Sequence, residues 1–345
     1  MNNGIRVYIL AGNARERDAL AAVIRRSPGM TLVGTGNEPD LFTETFDTTK
    51  LDALLLDIDT FDGDPVDLVR QIMRQNPLPI ILMSASQRDT DVVFEGISAG
   101  ALTVVKKPYL TNTPEDDILA AKVLRDIKTY SAVVVIRHVR GGDSEYRERM
   151  LAARDKYAPE GRIVVIASST GGPQALKVVL SALPASFPAG LVIAQHISQG
   201  FTPGLTEWLD NICSIKVKEA RDGENIKPGT AYFAPDGYHI AVRRFELIGL
   251  DNGSAIAGHR PSCNKLLKSA ADVYHDKAVG VILSGMGEDG AVGLKAIRDT
   301  GGKTFAQDEE SCAVFGMPKI ALDIGAVDRT TSLDIIASEL VRAML

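Results

Sequence analysis

Short apolar runs alternate with helical patterns along most of the chain, and that alternation leaves few folds open. IRVYIL, MTLVGT, LDALLLDI, PIILMSA and LTVVKKP are separated in turn by ERDALAAVIRRS, a charged amphipathic stretch, DLVRQIMRQ and VVFEGISAG. Strands that are apolar throughout are covered on both faces, and parallel strands need a helical crossover between them. Five such units predict a flavodoxin-like (βα)5 domain.

The rhythm breaks once. After Pro108 a helical pattern runs through EDDILAAKVLRDIKTYSAVVVI, its end blurred by the valines 133–135, and then RHVRGGDSEYRERMLAARDKYAPEGR is charged and contains glycine. Such a segment reads as an interdomain linker. The strand and helix beat resumes with IVVIAS, QALKVVLSAL, GLVIAQH and TPGLTEWLDNI. A different middle follows: SIKVKEA, GTAYFAP, HIAVRR and ELIGL, among the turns RDGEN, PDG and DNG, which are hairpin signals. Parallel character returns in AVGVILSGM, a helix from Ala291, KTFAQD and a last helix ending IASELVRAML. The expectation is an α/β chain of two domains: residues 4–124, a linker over 125–158, and a doubly wound, mostly parallel domain with an antiparallel hairpin region over 159–345. At 345 residues the chain is larger than single cores usually grow.

A formal net charge of -6 argues against a polyanion binder, so nucleic acid is not expected as a partner. Cys213, Cys263 and Cys312 are odd in number and far apart, which suits neither a disulfide framework nor a zinc motif; they read as reduced and mostly structural, with Cys263 and Cys312 resembling buried small hydrophobes. No apolar run approaches the roughly 18 residues of a membrane span, and MNNGIRVYIL lacks a signal-peptide pattern, so the expected location is the cytoplasm.

The chemistry concentrates where ASSTGGPQAL (Ala167–Leu176) ends a strand. A phosphate cradle would suit strand, glycine turn and helix start, but the lysine of GxxxxGK[ST] is missing and GxGxxG spacing is not met. A nucleophile turn needs a strand-end hydroxyl, a following backbone N–H for an oxyanion and small neighbours; Ser168 or Ser169 with Thr170, Gly171 and Gly172 supply these. His196 ends the next strand and is a candidate base. Glu288 and Asp289 follow AVGVILSGM and offer a carboxylate. Singly, His196 reads as a satisfied strand-end histidine and Asp289 as a helix cap. Serine, histidine and aspartate at three parallel strand ends, which gather on one sheet edge, favour a triad.

ASSTGGPQAL, AQHISQGFTPGL, AYFAPDGYHIAV, HRPSCNKLL, SGMGEDGAVGL and AQDEESCAVFGMP resemble, in order and spacing, the catalytic domain of the CheB family of protein-glutamate methylesterases. The resemblance implies Ser169 as nucleophile, His196 as base, Asp289 as orienting acid, and the backbone N–H groups of Thr170 and Met286 as oxyanion hole, with no catalytic cofactor. It implies demethylation of glutamate methyl esters on chemoreceptor cytoplasmic helices, with glutamine deamidation as a second activity and a chemotaxis histidine kinase as upstream partner. His239 and His259 match cleft positions, as substrate binders or loop braces; His138 and His275 lie outside the motifs.

The first domain resembles a response-regulator receiver. Asp57 stands at the phosphoacceptor position, Ser84 at the hydroxyl position and Lys107 at the lysine position. Ala11 and Gly12 replace the acidic pair, which argues against bound Mg2+. The loop after Asp57 is about two residues shorter than the family's, and Val104 replaces a common aromatic. These departures imply a pseudo-receiver, with Asp59 or Asp62 as the residues that would have to compensate. Two other readings stay open: an esterase of the same fold in a non-motility pathway, and a non-catalytic regulatory protein.

Overall fold

A computed structural model describes residues 4–37, 51–85, 90–108, 113–132 and 161–345, in two compact units that divide near residue 137. Among the described residues no helix is long and apolar enough to cross a membrane.

The first unit runs β1 (Ile5–Leu10), α1 (Ala14–Arg25), β2 (Met30–Gly36), β3 (Ala53–Asp57), α2 (Pro65–Gln75), β4 (Ile80–Ser84), α3 (Thr90–Ala99), β5 (Thr103–Lys106) and α4 (Pro114–Tyr130). Its strands form a parallel sheet in the order β2-β1-β3-β4-β5. Local chemistry sets the helix starts. Asn13 accepts from the N–H groups of Arg15 and Glu16, and Asp64 accepts from those of Val66 and Asp67, with Pro65 opening α2 where its missing N–H does no harm. β3 and β4 are buried along their whole length, which is why they read as continuous apolar runs. α4 continues to Tyr130, so residues 125–130 of the expected linker are helical. Residues 133–160, including His138, lie outside the described residues.

The second unit runs β6 (Ile163–Ser168), α5 (Gly172–Ser181), β7 (Gly190–Gln195), α6 (Thr202–Ile212), β8 (Lys216–Glu219), β9 (Thr230–Phe233), β10 (His239–Arg243), β11 (Leu247–Asp251), α7 (Cys263–Tyr274), β12 (Ala278–Ile282), α8 (Ala291–Asp299), β13 (Lys303–Gln307), α9 (Met317–Asp323), β14 (Arg329–Thr331) and α10 (Leu333–Met344). Seven strands form one parallel sheet in the order β14-β13-β12-β6-β7-β9-β8. The chain first builds outward from β6 through β7, then returns to build on the other side from β12. The switch point therefore falls between β6 and β12, where ligands of open α/β sheets bind outside the strand carboxyl ends.

The hairpin region differs from expectation in one respect. β8 and β9 lie parallel within the main sheet, Lys216 opposite Thr230, and only β10 and β11 form an antiparallel pair, as a separate two-stranded sheet. The Asp222-Gly223 turn does not reverse one strand onto the next. It sits in the loop that carries the chain back for a parallel pairing, with the Gly223 N–H donating to the Ile248 carbonyl. The true hairpin turn instead places Phe245 and Glu246 at φ 64° and 57°, the left-handed conformation that DG and NG normally advertise.

Candidate active site

Parallel register brings the site together. Ser168 on β6 pairs with Gln195 on β7, and the next N–H along, that of His196, donates to the Ser168 carbonyl at 2.9 Å. On the other flank the Ser169 N–H donates to the carbonyl of Ser284, just beyond β12. Ser169 thus stands between the ends of β7 and β12. A Cβ on Gly285 would lie 2.8 Å from the Ser169 Cβ, so only glycine lets the β12 end pass so close. Gly171, at φ 74°, turns the chain from Thr170 into α5.

The two serines have different surroundings. Ser168 is fully buried and its hydroxyl donates to Gln195 Oε1 at 2.7 Å. Ser169 is half-buried, and among the described residues its hydroxyl has no hydrogen-bond partner. The Gln195 amide donates onward to the carbonyls of Ser169 and His196, each at 2.8 Å, clamping the two strand ends.

His196 Nε2 lies 3.1 Å from Asp289 Oδ2, while Nδ1 is buried without a hydrogen-bond partner. The Nε2–H tautomer therefore meets the carboxylate and leaves the Nδ1 lone pair available. Asp289 is held from several sides. Oδ2 also accepts from the Cys263 N–H at 2.7 Å; Oδ1 accepts from the Asn264 N–H at 3.0 Å and the Ser262 hydroxyl at 3.1 Å. The carboxylate so caps α7 from outside the helix, satisfying donors of its first turn. Burial pushes the Asp289 pKa up, but His196 and these backbone donors win and hold it at about 2. For His196 burial acts downward, while the Cys263 sulfur 3.4 Å from Nε2 and the Asp289 carboxylate act upward and prevail.

The other histidines separate cleanly. His259 stacks on His196 with centroids 4.1 Å apart and planes within 1°, and its pKa is lowered by burial and by His196. His239 is buried; Nε2 donates to the Ser254 carbonyl and Nδ1 accepts from the Ser262 N–H, so it braces the loop that carries Ser262. His275 is exposed beyond α7. Cys263 and Cys312 are buried, as expected of small apolar side chains, and burial raises the pKa of Cys312.

Several supporting residues escaped sequence reading. Gln195, Ser262, Asn264 and Ser284 all fix backbone at the site: the Ser284 hydroxyl donates to the Thr170 carbonyl at 2.7 Å and accepts from the Val314 N–H at 3.0 Å. Asn264 Oδ1 accepts from the Gly293 N–H, tying α7 to α8. The one available signal was position, since Gln195 and Ser284 are polar residues next to apolar strands.

In the first unit, Asp57, Ser84 and Lys107 come together at strand ends. Lys107 Nζ lies 2.5 Å from Asp57 Oδ2 and also pairs with Glu16. Burial pushes the Lys107 pKa down, but the two carboxylates outweigh it and the net shift is upward. Mg2+ does not fit the residues present. A Cβ on Gly12 would stand 1.5 Å from the Thr60 carbonyl oxygen, so the loop after Asp57 fills the space where an acidic side chain would reach. The Thr60 hydroxyl donates to Asp57 Oδ2 at 2.7 Å. Asp59 does not supply a replacement ligand: Oδ1 accepts from the Ser84 hydroxyl at 2.7 Å and Oδ2 from the Ala85 N–H at 2.5 Å. Asp62 is exposed.

Fold and site together define a two-unit α/β protein in which a receiver-type sheet precedes a doubly wound sheet carrying serine, histidine and carboxylate at its switch point. The chain belongs to the CheB methylesterase family: residues 164–340 match CheB methylesterase, and residues 9–121 match the response regulator receiver domain. It is 35% identical to protein-glutamate methylesterase/protein-glutamine glutaminase 2 of Chromobacterium violaceum, over 98% of this chain and 99% of that protein. It is 37% identical to the corresponding enzyme of the group 3 operon of Rhodopseudomonas palustris, over 97% and 95%. The crystal structure of the Thermotoga maritima CheB methylesterase catalytic domain is similar with TM-score 0.52 and 40% identity, covering 53% of this chain and 98% of that one.

Proposed function

We propose that this chain is a cytoplasmic protein-glutamate methylesterase that hydrolyses glutamate methyl esters on the cytoplasmic helices of chemoreceptors and deamidates glutamine at the same site. The observation that carries the reading is the His196 ring, bound through Nε2 to Asp289 with Nδ1 buried and unpartnered, on a residue whose backbone N–H donates to the Ser168 carbonyl at the end of β6. The names of full-length relatives support the substrate class.

In this reading Ser169 Oγ attacks the ester carbonyl and His196 Nδ1 takes its proton; Asp289 holds the ring and stabilises the imidazolium. The oxyanion is met by the N–H groups of Thr170 and Met286. His196 returns the proton to the methoxide as the C–O bond breaks, and methanol leaves. Water then attacks the acyl-enzyme, giving its proton to His196, and the glutamate carboxylate is released as Ser169 recovers its own. Deamidation differs only in that the protonated leaving group is ammonia. No step calls on a metal or cofactor.

The receiver-like unit is the regulatory input, with a chemotaxis histidine kinase as its upstream partner, but control through phosphorylated Asp57 is weakened or replaced. Support comes from the closed metal position at Gly12 and from Asp59, which takes up donors at Ser84 and Ala85 that a phosphoryl group on Asp57 would use. The test is methanol release from methylated receptor, with Ser169→Ala as control. Release by the intact chain that the substitution abolishes is expected; no release from receptor by the intact chain overturns the reading.

A further inference from the structure

Cys263 has a neighbourhood that a merely space-filling cysteine does not need. Its Sγ lies 3.4 Å from the Ala194 carbonyl, the acceptor for its proton, and 3.4 Å from His196 Nε2. Nε2 is 3.1 Å from Asp289 Oδ2, and the ligand atoms, one each from Cys263, His196 and Asp289, lie within 4.8 Å of one another. Among the described residues this is the one group of three metal-ligating side chains so gathered. Zinc bound to sulfur at about 2.3 Å, and to imidazole nitrogen and carboxylate oxygen at about 2.0–2.2 Å, sets tetrahedral ligand atoms roughly 3.2–3.6 Å apart. The Sγ–Nε2 and Nε2–Oδ2 separations, 3.4 and 3.1 Å, need to open by only a few tenths of an ångström.

We propose that Cys263 Sγ, His196 Nε2 and Asp289 Oδ2 form a binding site for Zn2+, with water in the fourth position, and that a filled site blocks the esterase reaction. The blocking half rests on the function proposed above; the binding half does not. Thiolate and imidazole select zinc over magnesium or calcium, which prefer oxygen donors. One thiolate and one carboxylate neutralise the ion. The positive end of α7 opposes a cation only weakly, because its Cys263 and Asn264 N–H groups are already taken by Asp289.

The proton balance explains the block. Zinc takes the lone pair of Nε2 in the other imidazole tautomer, so that the ring proton moves from Nε2 to Nδ1, and the Cys263 proton leaves to solvent. With Nδ1 protonated, the ring has no acceptor for the Ser169 hydroxyl. Asp289 keeps its helix contacts but no longer orients the base through Nε2–H. The ion need not touch serine to stop the reaction.

The test uses the full-length chain freed of metal by chelator. Co2+ serves as the spectroscopic probe, and Zn2+ affinity is read by competition with a chromogenic chelator. One ion per chain is expected, with a thiolate-to-cobalt charge-transfer band. Cys263→Val and Cys263→Ser should each remove the band and weaken Zn2+ by more than the roughly 10- to 100-fold that loss of an outer-shell partner costs. Ser169→Ala should bind as the intact chain does. Circular dichroism establishes that each variant is folded. No stoichiometric binding, or equal affinity in folded Cys263→Val, overturns the site. Stoichiometric binding that leaves methanol release unchanged overturns the block alone. A chain without esterase activity in metal-free buffer overturns the function proposed above, while the cobalt band still decides the site.

Discussion

The buried Ser168 hydroxyl donates to Gln195 Oε1 at 2.7 Å, and this one bond gives adjacent serines different fates. Ser168→Ala leaves a buried amide oxygen without its donor, at a cost of about 1–3 kcal/mol in stability, yet removes nothing from the cleft. It should keep most of its esterase activity. Ser169→Ala should leave stability nearly unchanged and lower kcat by roughly five to six orders of magnitude, as loss of a triad serine does. Thermal denaturation and methanol release, measured on both variants, separate the two roles.

Asp289→Asn keeps the size of the side chain but offers an amide N–H where His196 Nε2–H needs an acceptor. The ring is driven toward the wrong tautomer, and kcat is expected to fall about 10⁴-fold. A loss below tenfold in the same methanol assay would remove Asp289 from the reaction.

pH acts on activity and stability through different groups. The base must be neutral to take a proton, and the His196 pKa is raised above the ordinary 6.5. The kcat/KM profile should therefore rise with pH to a midpoint above 6.5. An inflection below 6.5 contradicts the coupling to Asp289. For Asp289 the folded pKa of about 2 lies below the ordinary 3.8. The stabilisation is present above 3.8, fades as pH falls toward 2, and amounts to about 2 kcal/mol. Denaturant unfolding of Asp289→Asn against the intact chain should show a difference that shrinks over that window.

Gly12 carries the prediction for the first unit. Gly12→Ala sets a methyl against the Thr60 carbonyl, whose oxygen stands 1.5 Å from the position of the new Cβ, and should destabilise that unit by at least about 1–3 kcal/mol. The intact chain, incubated with Mg2+ and a small phosphodonor, should leave Asp57 unlabelled. Stoichiometric phosphate on Asp57 by mass spectrometry would show that the closed metal position does not prevent transfer.

Much of this was legible because parallel sheets write themselves into sequence twice: as apolar runs covered on both faces and as polar residues stranded at the carboxyl ends. A strand-end serine, His196 and Asp289 carried that second signature, whereas the choice of Ser169 over Ser168 and the reading of Asp57, Ser84 and Lys107 came from the family resemblance. β8 and β9 were misread because DG and PDG report a local backbone turn, whereas the direction of pairing depends on where a distant strand already lies. Gln195 was passed over because a glutamine's two-ended hydrogen bonding has no spacing of its own. The collapse of Thr60 onto Gly12 joins positions on different strand ends, and only the absence of acids at 11 and 12 hinted at it.

Asp289 belongs at once to the reaction centre and to the start of α7, where its oxygens hold the N–H groups of Cys263 and Asn264. A chain that drifted away from catalysis could not shed this acid silently, because the same substitution would loosen a helix packed against β10 and α8. Selection for a folded protein alone would tend to preserve it. Persistence of Asp289 in a descendant is thus weak testimony to activity, whereas Ser169, whose hydroxyl holds no other group among the described residues, is the residue whose retention records that hydrolysis is still under selection.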